Sequence, residues 1–159
     1  MAEISGRTNE REAISSPSLA FCLRLARAYA VLTRRLDNGL ANIHGLSFGD
    51  FMVLYHLQRA PGSKLRRVDL ADRLGLTASG VTRTLLPLEK LGLVARQPDP
   101  RDARVGYAGI TQAGEALLAN ALVTVELLAG EATQRMSGDQ VESFSAMLGQ
   151  IAGINLSNE

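Results

Sequence analysis

The chain is poor in the residues that carry most protein chemistry: one cysteine, two histidines, no tryptophan and only 4% aromatics among 159 residues. A single thiol closes no internal disulfide, and one Cys with two His is too few for a closed zinc site in one chain. Neither a metal nor a cofactor is therefore expected. The stretch "GLTASGVT" (Gly75 to Thr82) has the glycine spacing of a phosphate-binding loop, but Val81 stands where that loop needs lysine. No local signature joins a serine or cysteine to a base, so the chain is not expected to be an enzyme. His56 lies between Tyr55 and Leu57 and reads as a packed helix residue, while His44, beside Gly45, reads as a C-terminal helix charge or cap. No apolar run approaches the roughly 18 residues that span a bilayer, and no charged-then-apolar leader opens the chain. A cytoplasmic protein without membrane contact is expected.

Net charge is scarce too, at +1, but it is unevenly placed. Residues 62–106 hold nine Lys or Arg against five acids, whereas residues 107–159 hold Arg135 against six. A basic middle and an acidic C-terminal third suit a chain that meets an anion with one segment and protein with another.

The length is that of about one domain. The first 17 residues are polar and aperiodic, and they are expected to form a disordered tail. From Ser18 to Ile43, Leu19, Leu23, Ala26 and Ala30, with Leu25, Leu32, Leu36 and Leu40, recur at helical spacing and predict one helix of ~25 residues. "LSFGD" predicts a helix start, with Ser47 and Asp50 as a capping box and Leu46 against Phe51 as its hydrophobic staple. That helix carries Phe51, Leu54 and Tyr55 inward and stops before Pro61.

Two short helices follow in close succession. "VDLADRLGL" turns Leu70, Ala71 and Leu74 inward and ends at Gly75. After a short turn Thr77 caps the next helix, whose Val81, Leu85 and Leu88 form a buried stripe while Ser79, Thr82, Arg83 and Lys90 point away. Pro87 removes a backbone hydrogen bond there and is expected to bend the helix near Arg83. This order is the helix-turn-helix plan, in which the second helix enters the major groove of DNA. "LVARQP" (Leu93 to Pro98) and "YAGIT" (Tyr107 to Thr111) read as a β-hairpin wing around the turn "PDPRDARVG", with a return strand weakened by Gly106 and Gly109. Thr111 and "SGDQ" (Ser137 to Gln140) then cap two final helices. The first of these is apolar on more than one side, through Leu118, Leu122 and Val125 and also Leu117, Leu127 and Leu128. The fold class predicted is mainly α with a small β-hairpin wing.

Taken together, "LSFGDFMVLYHL", "VDLADRLGLTASGVTRTLLPLEKLGLVAR" and "DPRDARVGYAGIT" resemble the MarR family of bacterial transcription regulators over roughly residues 19–155. The resemblance implies a single domain over 18–155, with a winged helix-turn-helix lobe at 46–111 and dimerisation helices at 18–45 and 112–155. It implies a cytoplasmic homodimer that binds double-stranded, pseudo-palindromic operator DNA as a repressor or activator, with a repressor released by a small-molecule effector, for which the family suggests an aromatic compound, as the expected form. By position, Ser79, Thr82 and Arg83 match DNA contacts on the recognition helix. Arg104 matches the wing-tip arginine of the minor groove, Asp102 the carboxylate that orients it, and Arg101 a phosphate contact. The expected wall of an effector pocket is Tyr29, Phe48, Met52 and Tyr55. Cys22 lies where some members carry a peroxide-sensing cysteine, although Phe48 and Phe51 stand where those sensors have tyrosines. The alternatives are a redox regulator acting through Cys22 and a dimeric helical interaction protein that does not read DNA.

Overall fold

A computed structural model describes residues 16–99, 101–102 and 106–153. Along them run helices α1 (Pro17–His44), α2 (Phe48–Arg59), α3 (Arg67–Leu74), α4 (Ala78–Lys90), α5 (Gln112–Thr133) and α6 (Gly138–Ala152). Strands β1 (Lys64–Arg66), β2 (Val94–Pro98) and β3 (Gly106–Ile110) complete the fold, with a 3-10 turn at Pro61–Ser63. The chain divides into two units, residues 1–34 and 35–159, and α1 runs through the boundary.

In the first unit α1 starts one residue before the sequence predicts. Ser16 Oγ accepts the Leu19 N–H at 3.1 Å, which makes Ser16 the cap and puts Pro17 at the first helical position, where its missing N–H costs nothing. The remaining residues of the expected tail lie outside the described ones. Leu19, Phe21, Leu23, Tyr29 and Val31 are all exposed on this helix.

In the second unit α2 is the hub of the core. Its start is the capping box that Ser47 and Asp50 predict, with both reciprocal hydrogen bonds at 3.0 Å, and Asp37 Oδ1 takes the neighbouring Phe48 N–H at 2.6 Å. With its first N–H groups satisfied, α2 buries Phe51, Val53, Leu54 and Leu57. Around them pack Leu40, Leu70 and Ala71, Val81, Leu85 and Leu88, Val94, Ala108, Leu118 and Ala121. Fully burying a side chain of this size stabilises by about 1.5–3 kcal/mol, so the lobe is held mainly by this cluster.

Two expectations change. The wing is not an isolated hairpin: β1 joins it in an antiparallel sheet ordered β1-β3-β2. The return strand β3, expected to be weak, is the central strand, hydrogen-bonded on both edges, so its glycines are compensated by two ladders. At Gly109 the Gln97 side chain occupies the place of a Cβ, its Nε2 2.5 Å from where that atom would stand. By length and composition alone α5, at 22 residues, is apolar enough to cross a bilayer, which does not alter the expectation about continuous apolar runs. Its Ala, Leu and Val are interrupted often enough by Gly, Thr and Glu that no continuous run shows in the sequence.

Candidate nucleic-acid interface

The recognition element is built from local signals. Gly75 takes φ 62°, a left-handed conformation that ends α3 without the strain a Cβ would add. Thr77 Oγ1 then accepts the Gly80 N–H at 3.2 Å and starts α4. Val81, Leu85 and Leu88 turn into the core, so Ser79, Arg83 and Lys90 are left exposed and Thr82 half-buried on the other side. α4 continues as one helix through Pro87 to Lys90.

Ion pairs sort the basic residues of this lobe into two groups. Arg66 grips Asp69 with two bonds, at 2.7 and 2.9 Å, and this partner raises its pKa. Arg67 reaches across from α3 to Glu89 near the end of α4 at 3.1 Å. These two arginines serve the scaffold, and the Arg67–Glu89 bridge fixes α3 against α4. Among the described residues, Arg83, Lys90, Arg96 and Arg101 enter none of these pairs, which leaves their charge for an external anion. The Thr82 hydroxyl donates to Ala78 O at 3.1 Å, so it faces outward with a methyl group and an acceptor oxygen.

At the wing, Asp99 Oδ1 accepts the Arg101 backbone N–H at 2.7 Å. That bond, helped by the Tyr107 hydroxyl, the Asp102 backbone N–H and the Lys64 charge, holds the Asp99 carboxyl below the usual carboxylate range. Arg101 and Asp102 are exposed. Arg104, and with it the expected orienting contact from Asp102, lies outside the described residues.

Of the expected effector wall, Phe48, Met52 and Tyr55 are half-buried on α2 and pack against the core. Phe48 stacks on Phe51 at 6.1 Å and Phe51 on Tyr55 at 5.9 Å, and the Arg59 guanidinium lies 5.0 Å from the Tyr55 ring. Tyr29 belongs to the first unit and is 66% exposed. Cys22 is exposed on α1. His44 Nε2 lies 2.8 Å from Thr124 Oγ1, which gives the end of α1 a side-chain partner on α5. His56 meets the Tyr55 ring edge-on at 5.8 Å. The described residues contain no group of three or more metal-ligating side chains. Lys64 and Tyr107, whose ammonium and ring lie 5.1 Å apart, were not legible as a pair because β1 is too short to show a strand pattern.

The MarR family sequence profile matches residues 44–105. The chain is 30% identical over 112 residues to the uncharacterized HTH-type transcriptional regulator YkoM of Bacillus subtilis (strain 168), which covers 70% of this chain and 71% of that protein. It is 28% identical over 142 residues to the HTH-type transcriptional regulator MhqR of the same organism, over 89% of this chain and 95% of that one. Sco3205, a MarR family transcriptional regulator from Streptomyces coelicolor solved in complex with DNA, shares the fold at a TM-score of 0.79 and 24% identity, over 87% of this chain and 92% of that chain.

Proposed function

The chain belongs to the MarR family of transcription regulators, and from that membership we propose that it is a homodimeric repressor of the cytoplasm that binds a pseudo-palindromic operator and is released by a small aromatic effector. The observation that carries the reading is the outward face of α4. Ser79, Thr82 and Arg83 stand clear of a helix whose opposite side is locked into the core, beside a wing that presents Arg101. A helix held in this way can enter the major groove and read base edges, while a wing arginine takes a phosphate. Arg104 is carried over from the family resemblance as the minor-groove residue, with Asp102 as its orienting carboxylate.

Dimerisation is supported by apolar surface that the single chain leaves uncovered. Leu23 is 60% exposed, Leu127 64% and Ile151 58%, and Phe144 and Met147 add to the same surplus. Exposed apolar residues on successive turns of helices normally mark a protein partner, and a second copy also accounts for the apolar length of α5. A two-fold dimer presents its recognition helices about one DNA turn apart, roughly 34 Å, which calls for a pseudo-palindromic site. The effector part of the reading rests on the half-buried aromatic run Phe48, Met52 and Tyr55, a surface suited to a flat ring.

A mobility-shift titration with duplex from the chain's own promoter region, over a range of salt, tests the reading. Tight binding that falls steeply with salt is expected, with light scattering reporting a dimer. A folded dimer with no preference for any duplex would instead leave an interaction protein, and a folded monomer at micromolar concentration would remove the dimer.

A further inference from the structure

The hydroxyl groups of α4 are largely committed to the helix itself. At its start Thr77 Oγ1 accepts the Gly80 N–H at 3.2 Å and lies 3.1 Å from Ser79 Oγ. Thr84 donates to Gly80 O at 3.1 Å, and Thr82 donates to Ala78 O at the same distance. Thr82 adjoins the exposed Arg83 and follows the exposed Ala78 by one helical turn, so the side chains of Ala78 and Thr82 lie one above the other on the outer face. A hydroxyl carries a single hydrogen, and that of Thr82 is already spent. Phosphate oxygens, guanine O6 and N7, adenine N7 and thymine O4 are all acceptors, so none of them finds a donor on this side chain while the bond to Ala78 O stands. What Thr82 still offers a duplex is its Cγ2 methyl and the lone pairs of an oxygen held back against the helix backbone.

We infer that Thr82 is a specificity-determining residue that reads the 5-methyl group of a thymine with its own Cγ2 methyl, while its hydroxyl stays on Ala78 O. The inference rests on the DNA-binding reading above and narrows it to one chemical class of base. Thymine presents the 5-methyl group in the major groove, where threonine methyls and alanine are its natural apolar contacts. The exposed Ala78 methyl one turn earlier extends the same apolar surface. A methyl contact needs no donor, so Thr82 makes it without giving up its bond inside the helix. That bond also fixes the side-chain rotamer before DNA arrives, which reduces the entropy lost on binding. Arg83 enters none of the ion pairs among the described residues, so it is left to take the hydrogen-bonding edges beside that thymine.

Deleting the methyl on the DNA side tests this without touching the fold. The probe is the fragment of the chain's own promoter region that the wild type protects, with each protected thymine replaced singly by deoxyuridine, which lacks only the 5-methyl. Kd is measured for wild type, for Thr82→Ser, which keeps the hydroxyl and removes Cγ2, and for Thr82→Val, which keeps the methyl and removes the oxygen, with thermal melting of each. One thymine in each half-site should matter to the wild type, and its replacement should weaken binding about 3- to 5-fold, the worth of one buried methyl. Thr82→Val should bind the thymine duplex as the wild type does and keep that sensitivity. Thr82→Ser should bind it more weakly and no longer distinguish thymine from deoxyuridine there. Equal sensitivity in wild type and Thr82→Ser, no sensitive thymine at all, or a Thr82→Val that loses affinity while Thr82→Ser keeps it overturns the inference, and a wild type that still prefers this duplex to random sequence leaves the functional reading standing. A wild type without such a preference overturns both.

Discussion

Replacing Gly114 by alanine should loosen the seat of α5 on the wing. Gly114 is buried in the first turn of α5, and a Cβ there would stand 2.2 Å from Leu93 O and 2.8 Å from Ile110 Cγ1. Ordinary contact begins near about 3.5 Å, so helix and strand must part by roughly 1 Å. Leu93 O cannot simply swing away, because it accepts the Thr111 N–H at 3.1 Å. Overpacking of this kind costs about 1–3 kcal/mol, and an obstacle made of backbone places it at the upper end. Alanine recovers up to about 1 kcal/mol over glycine in a helix, which leaves a net loss of roughly 1–2 kcal/mol. Urea unfolding at fixed protein concentration should show a lower midpoint with an unchanged slope. Gly130→Ala is the control: it lies on the same helix with nothing within 4 Å of a new Cβ, and should be neutral or stabilising by about 0.5–1 kcal/mol. Wild-type stability in Gly114→Ala would refute the packing of α5 described above. A loss in Gly130→Ala instead would show that a partner surface covers that position.

Thr111→Val should destabilise by about 1–2 kcal/mol in the same assay, because the Thr111 hydroxyl both accepts the Gly114 N–H at 3.1 Å and donates to Gly92 O at 2.6 Å. Thr82→Ala and Arg83→Ala should each lose about 1–3 kcal/mol of discrimination between operator and random duplex, and equal weakening on both would reassign them as phosphate contacts. Arg104→Ala should cost roughly 1–3 kcal/mol of operator affinity with the dimer intact, more on A·T-rich flanks. Asp102→Ala should also weaken binding although it removes a negative charge, and tighter binding would exclude the orienting role. Because the folded state holds the Asp99 carboxyl low, its contribution is present above the ordinary aspartate pKa of about 3.9 and is lost only as pH falls through the lower folded value. An NMR titration placing its midpoint at or above the ordinary value would contradict the Asp99–Arg101 bond.

What the sequence determined by itself lies within a few residues of each signal. Ser47 with Asp50, Thr77, Thr111 and Ser137 were readable as caps because the N–H groups they accept lie three residues on. Gly75 was readable as a stop for the same reason, since a left-handed residue acts on its own helix end. The buried stripe Val81, Leu85 and Leu88 followed from helical period, and with it the outward face of Ser79, Thr82 and Arg83. Tertiary structure decided whatever depends on residues far apart. Lys64–Arg66 is too short to declare itself a strand and becomes one only because β3 supplies a partner more than 40 positions later, at Tyr107 to Gly109. The same closure makes a glycine-bearing return strand the centre of the sheet and joins Arg67 to Glu89, 22 residues apart. Among the described residues it also divides the arginines into those paired with a carboxylate and those outside these pairs, a division that composition cannot express because a guanidinium's availability depends on which carboxylate folding brings within reach.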